Sequence, residues 1–242
     1  MFSFIWHTVF FDPIYNVLVF FIDAIPGGDV GLAVIATVVV VKTSLLPLSI
    51  KAAKAQKVMK ELEPKLKELK EKHKDKRDEH AKATMALYKE SGVNPFASIG
   101  VIFLQLPFMI ALYFAVIKGG GVVLPGINAD LLYSFVPSPT EISMLLFGSL
   151  DIASKSLVLA VVAGVAQYFS TVFTLIAPPP AVPGVKSDFK DDFARNMHVQ
   201  MKYVMPVMIG FFAYISTVIA IYFIVSSIMA IIQEYFFIRK HR

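Results

Sequence analysis

In this chain of 242 residues, 56% of positions are hydrophobic and only 17% are charged, and the mean hydropathy is +0.66. Such a composition excludes an ordinary soluble domain and specifies an integral membrane protein. The absence of cysteine further excludes disulfides, thiolate metal sites and a lipidated cysteine.

The first Lys or Arg is Lys42, so a cleavable signal peptide with a basic leading region is not expected. Residues 1–28 are expected to form an N-terminal interfacial amphipathic segment. Asp12 and Pro13 divide it, and its apolar part, Ile14–Ile25, is too short to cross a bilayer. Span one, residues 29–50, contains the apolar run Val30–Ile50, in which Lys42 is the only charge. About 20 apolar residues suffice to cross the hydrocarbon core. A charge inside such a run costs roughly 2.5–3.5 kcal/mol, so it usually faces protein or water and serves a function. Snorkelling is the simpler explanation, but Lys51 lies nine residues further on, or about 13 Å of helix. A lysine stem covers about half that distance, which favours a polar cavity or groove around Lys42.

Residues 51–94 form the first charged segment. Lys51–Glu90 holds 13 Lys/Arg and 8 Asp/Glu. Met59, Leu62, Leu66 and Leu69 recur at helical spacing, the polar turn His73–Asp78 follows, and a second helical stretch carries Ala81, Met85 and Tyr88. The pattern predicts an antiparallel helical hairpin with a break at Pro64.

Span two is residues 95–117. The external loop, 118–154, carries Gly119–Gly121, Pro125–Gly126 and the apolar patch Met144–Phe147, expected as a short interfacial helix. Span three, 155–177, leads to a Pro-rich and then charged loop, 178–200, expected to be mobile. The last apolar run, Tyr203–Ile238, would be about 54 Å long as one helix, against a core of about 30 Å. It must fold back near Ser216–Thr217, giving span four (201–215) and span five (217–238) before a short basic tail (239–242).

Twenty of the 23 basic residues fall in Lys51–Glu90, Pro178–Lys202 and Arg239–Arg242, while Met1–Asp29 has none. The positive-inside rule places those segments in the cytoplasm and the N-terminus outside. An odd number of spans satisfies that arrangement. The expected fold is therefore all-α, with five transmembrane helices forming a groove, N-out and C-in.

Catalytic chemistry has little support. His7, His73, His80, His198 and His241 are scattered and match no metal-binding spacing. Glu234 is the only carboxylate within the apolar runs of the predicted spans, too few for a proton relay or cation path. No enzymatic activity, cofactor or specific DNA binding is expected. The spans instead carry uncharged polar groups. Thr43 and Ser44 neighbour Lys42, Gln105 lies on span two, Gln167 on span three and Ser226 on span five. A single Ser or Thr is usually explained by a backbone or interhelical hydrogen bond. The two buried amides are more informative. With Lys42 they point to a hydrophilic cavity that contacts polar or acidic polypeptide.

Several segments resemble, in order, the YidC/Oxa family of membrane protein insertases. VVVKTSLLPLSIKAAKAQKVM is similar to the family's first core span with its positive residue. LEPKLKELKEKH followed by MALYKESGVNPF resembles its cytoplasmic hairpin and re-entry motif. FLQLPFMIALYFAV is similar to the second core span, and MKYVMPVMIGFFAY with IYFIVSSIMAIIQEYFFIRK to the last two. The resemblance covers about Phe11 to Arg239.

It implies a groove open to cytoplasm and lipid and closed toward the outside. Lys42 would be the groove's positive charge, where the family more often has Arg, and Gln105 a polar groove residue. Leu106, Pro107 and Phe108 would belong to the helix along which substrate slides, with Tyr222 and Phe223 as the aromatic pair on the exit path. The implied substrates are nascent membrane proteins with short translocated regions, in a bacterial plasma membrane. The hairpin would meet ribosome, targeting factors, the general translocon or anionic lipids. Three departures stand out. Ile215, Ser216 and Thr217 replace the Pro/Gly break between the last spans, and neither the large external domain and extra N-terminal span of some members nor their long basic tail is expected in this chain. Two other readings of Lys42 are a small anion or solute transporter and a non-inserting assembly factor. No internal repeat supports the first.

Overall fold

The computed structural model describes residues 2–73, 77–92, 94, 97–174 and 196–239. It separates into two compact units, one of Met1–Ser44 with Leu106–Glu234 and the other of Leu45–Gln105 with Tyr235–Arg242.

In the larger unit, α1 runs Ser3–Ala24. The expected division at Asp12–Pro13 does not occur. Proline removes one backbone donor and crowds the preceding turn, and here the turn before it widens into a π-helical stretch, Trp6–Phe11. The helix continues through, and at 22 residues it is long and apolar enough to cross a membrane. One face is closed into the core by Ile14, Leu18 and Ile22, which recur at helical spacing and are almost fully buried.

Helix α2, Val30–Ser44, packs along α1. It ends earlier than the apolar run does, because the chain breaks at Leu45 and α3 begins at Leu46 with Pro47 in its first turn. Pro47 has no N–H to continue the ladder. The run expected as one span is thus two helices, long and apolar enough to cross a membrane only when taken together.

Helix α6, Ala97–Ile117, contributes Ala111, Leu112, Ala115 and Val116 to the core of the larger unit. Helix α7, Leu157–Thr174, packs on α8, Met205–Ile215, and on α9, Thr217–Gln233. Ala160, Ala163, Ala213 and Ala220 form a second buried seam. Small side chains let backbones approach, which is how helices associate without a hydrophobic drive between them.

The long C-terminal run is interrupted at Ser216, whose backbone is extended (φ −156°, ψ 141°). Its hydroxyl accepts a hydrogen bond from the Val218 N–H at 3.2 Å, capping α9. Neither Pro nor Gly is needed, because extended backbone at a serine cap is unstrained. From Thr217 to Tyr222 every residue of α9 is buried.

The patch Met144–Phe147 is not a helix. Leu145–Leu146 pairs antiparallel with Leu150–Asp151. Phe147 and Gly148 at the turn have φ of 52° and 68°, and two successive positive φ values suit a tight hairpin.

Among the described residues, three helices are able to span a membrane by length and composition (Ser3–Ala24, Leu157–Thr174 and Thr217–Ile238). The broken pair, Val30–Ser44 with Leu46–Glu61, would be a fourth.

The smaller unit contains α3, Leu46–Glu61, α4, Glu63–Lys72, and α5, Arg77–Glu90. The break before Pro64 falls at Leu62, which is buried. Helices α4 and α5 pack together. Met59, Leu66 and Leu69 are half-buried, as is Tyr88, while Met85 is 53% exposed. His73 Nδ1 lies 3.3 Å from Glu79 Oε2 across the turn. The middle of that turn, most of the loop expected at 178–200 and the end of the basic tail lie outside the described residues.

Candidate functional site

Helix α2 carries a charged residue near each end, and the two have opposite environments. Asp29 immediately precedes α2 and is 9% exposed. Its Oδ1 accepts a hydrogen bond from Leu32 N at 2.9 Å, and its Oδ2 accepts one from Phe147 N at 2.8 Å. An anion at this position caps the first turn and complements the positive end of the helix dipole. The second bond also holds Phe147 in its left-handed conformation and ties the β-hairpin to α2. Backbone bonds between Val30 N and Ser143 O (3.0 Å) and between Ser143 N and Gly28 O (2.9 Å) reinforce the junction. Two glycines make room for it. A side chain at Gly28 would collide with the Glu141 carbonyl, and one at Gly31 would come within 2.7 Å of Leu146.

Further loop segments close over the same region. The Tyr15 hydroxyl accepts from Asn128 N at 2.8 Å. Buried Asn16 donates to Leu131 O at 2.8 Å and accepts from Tyr133 N at 2.6 Å. Residues 128–133 are thereby fastened to α1 by two adjacent side chains.

At the other end, Lys42 lies in the last turn of α2. It is half-buried, and among the described residues it forms no ion pair and no hydrogen bond. The position favours a cation through the negative end of the helix dipole. Thr43 and Ser44 are exposed beside it, and the Ser44 hydroxyl donates back to Val41 O at 2.8 Å.

Gln167 joins two helices. Its Oε1 accepts from the Ser227 hydroxyl on α9 at 3.2 Å, and its Nε2 approaches Thr171 Oγ1 at 3.3 Å. Thr171 donates to the Gln167 carbonyl at 2.8 Å. Ser226, the neighbour of Ser227, is 7% exposed, and its hydroxyl has no hydrogen-bond partner among the described residues. Gln105 is half-buried on α6.

Leu106 is 46% exposed, and Pro107 and Phe108 are half-buried. The Phe108 ring packs edge-on against Phe10, 5.1 Å between centroids. Tyr222 is only 4% exposed, while Phe223 is half-buried with its ring 5.6 Å from that of Tyr222.

Relatives of this chain decide its family. The model of the 60Kd inner membrane protein family matches residues 21–242. The chain belongs to that family, the YidC/Oxa family. It is similar to the membrane protein insertase YidC of Alkalihalophilus pseudofirmus, at 30% identity, with 96% of this chain and 81% of the relative covered. Similar too is membrane protein insertase YidC 1 of Halalkalibacterium halodurans, at 27% identity over 96% and 78% of the two chains. The membrane protein insertase YidC of a Ruegeria species is 30% identical over 98% of this chain but only 38% of its own length. The family is not enzymatic in the catalytic sense. Bacterial relatives and apolar helices together identify a multi-pass protein of the bacterial inner membrane.

Asp29, Asn16 and Ser227 are not among the expected site residues, where Ser226 stands for span five. Asp29 carries a detectable signal, an acidic residue directly before an apolar helical run. Asn16 is a lone amide in an otherwise apolar segment. Ser227 cannot be separated from Ser226 by composition, since only helix rotation decides which hydroxyl meets Gln167.

Proposed function

We propose that this protein is a membrane protein insertase that receives nascent membrane proteins from the cytoplasm and releases them into the bilayer through a lipid-open hydrophilic groove with Lys42 as its single positive charge. The observation that carries the reading is the unpaired state of Lys42, an expensive charge kept half-buried without a counter-ion among the described residues. A cation so placed attracts an acidic or polar substrate segment, which supplies the missing opposite charge while it passes. At a separation of 4 Å and the effective dielectric constant of about 20 found near protein surfaces, such a pair is worth roughly 4 kcal/mol before desolvation. That is comparable with the cost of placing the charge in the membrane.

In this reading the chain crosses the membrane five times, with its N-terminus outside and its C-terminus in the cytoplasm. Thr43, Ser44, Gln105, Gln167 and Ser226 keep the groove wet, which shortens the barrier for the translocated portion. The apolar part of the substrate leaves along Leu106, Pro107 and Phe108 and past Tyr222 and Phe223. The charged hairpin offers a contact for ribosome, targeting factors, the general translocon or anionic lipid.

The test is insertion of a single-span substrate with a short acidic outer segment, in cells that depend on this protein. Lys42→Ala is expected to slow insertion roughly tenfold or more and Lys42→Arg to support it. Normal insertion by Lys42→Ala would remove the assigned role of the charge.

A further inference from the structure

Away from Lys42, helices α7 and α8 enclose an apolar cleft of about 790 Å³. Its floor is set by glycines. A side chain at Gly164 would come within 3.0 Å of the Pro206 carbonyl, so the backbones touch there and the larger residues on either side stand up as walls. Val161, Val165 and Val207 form much of the lining, and they are 58%, 50% and 59% exposed.

The two mouths of the cleft differ. At one, Tyr168 and Tyr203 both line the cavity, with ring centroids 6.1 Å apart. Lys202 holds its ammonium 5.2 Å above the Tyr203 ring, within cation–π range. Among the described residues Lys202 has no ion pair. An ammonium without an ion pair among the described residues and two phenols are thus gathered where the apolar walls end. At the other mouth a single tyrosine, Tyr214, lies 6.0 Å from the Lys155 ammonium, at the limit of that interaction.

We propose that this cleft binds an anionic phospholipid, with its acyl chains along the apolar walls and its phosphate at Lys202, Tyr203 and Tyr168. Charge complementarity selects the headgroup, since a cation and hydroxyl donors at the edge of an interhelical apolar cleft match a phosphodiester. The walls match the tail: Val161, Val165 and Val207 are apolar and exposed, and acyl chains are narrow enough to lie between them. The site shares no residue with the Lys42 groove and stands whether or not the insertion mechanism above is right.

The experiment is native mass spectrometry of the full chain in detergent, equilibrated with phosphatidylglycerol or with phosphatidylcholine of the same acyl chains. One phosphatidylglycerol should be retained at several-fold higher occupancy than phosphatidylcholine. Lys202→Gln should bring the two lipids to equal retention, and Lys202→Arg should restore the preference. Lys155→Gln should leave it intact. Val207→Trp, which fills the cleft, should lower retention of both lipids. Equal retention by the unmodified chain, no retention of either lipid, or an unchanged preference in Lys202→Gln would overturn the assignment. If Lys202→Gln does not fold, undiminished retention in Val207→Trp would overturn it alone.

Discussion

The two ends of α2 treat charge in opposite ways. At its start, Asp29 is buried and bonded to Leu32 N and Phe147 N, and that network locks a β-hairpin onto the helix. Near its end, Lys42 is half-buried and, among the described residues, unpaired. Both charges suit the helix dipole, but of the two only Asp29 has hydrogen-bond partners among the described residues. A charge kept for stability is thereby told apart from one kept for work. The first is expensive to remove because it leaves buried donors unsatisfied. The second should be cheap for the fold and costly for function.

The largest effect on stability is expected from Asp29→Ala. Two charge-assisted hydrogen bonds and the cap are lost together, at a cost of about 2–4 kcal/mol, read as a lower thermal unfolding midpoint in detergent. Asp29→Asn, which can keep one acceptor, should lose less. A midpoint for Asp29→Ala equal to that of the unmodified protein would break the contrast from its structural side.

Gln167→Leu should come next, costing about 1 kcal/mol. It removes one interhelical bond and leaves the Ser227 hydroxyl buried without that acceptor. Double-mutant analysis with Ser227→Ala should show coupling of at least about 0.5 kcal/mol. Additive effects would mean that the 3.2 Å contact contributes nothing.

Ser226→Ala should change stability by less than about 0.5 kcal/mol, or raise it slightly, because its buried hydroxyl has no described partner to lose. Its effect on insertion decides which kind of residue it is. A measurable loss of insertion at unchanged stability would assign Ser226 to the wet groove beside Lys42. Unchanged insertion would make it a packing residue.

Much of this architecture was legible in the residues. The apolar runs, the length of Tyr203–Ile238 and the isolation of Lys42 all follow from hydrophobicity and helical rise. The helical hairpin follows from the stripe Met59, Leu62, Leu66 and Leu69 with Pro64 set within it. What stayed hidden depends on partners distant in the chain. Met144–Phe147 has the composition of an interfacial helix, yet Asp29, 118 residues before Phe147, holds its turn in a conformation that no helix adopts. Pro13 looks like a breaker until the π-helical turn ahead of it absorbs the lost bond. Pro47 does break its run, at Leu45, where hydropathy alone sees one continuous span. Within the candidate site, the charge is conspicuous in sequence because it is alone. The choice of Ser227 over Ser226 as the partner of Gln167 is a matter of helix rotation, which no count of residue types reveals.

The central claim is that Lys42 acts through its charge and not through a structural bond. The most direct measurement compares Lys42→Ala and Lys42→Arg with the unmodified chain, reading the insertion rate of an acidic single-span substrate and the thermal midpoint of each purified protein. Insertion should slow roughly tenfold or more in Lys42→Ala, equivalent to about 1.4 kcal/mol, stay near normal in Lys42→Arg, and the thermal midpoints should not fall. Full insertion by Lys42→Ala, or a loss of insertion matched by a loss of stability, would contradict it.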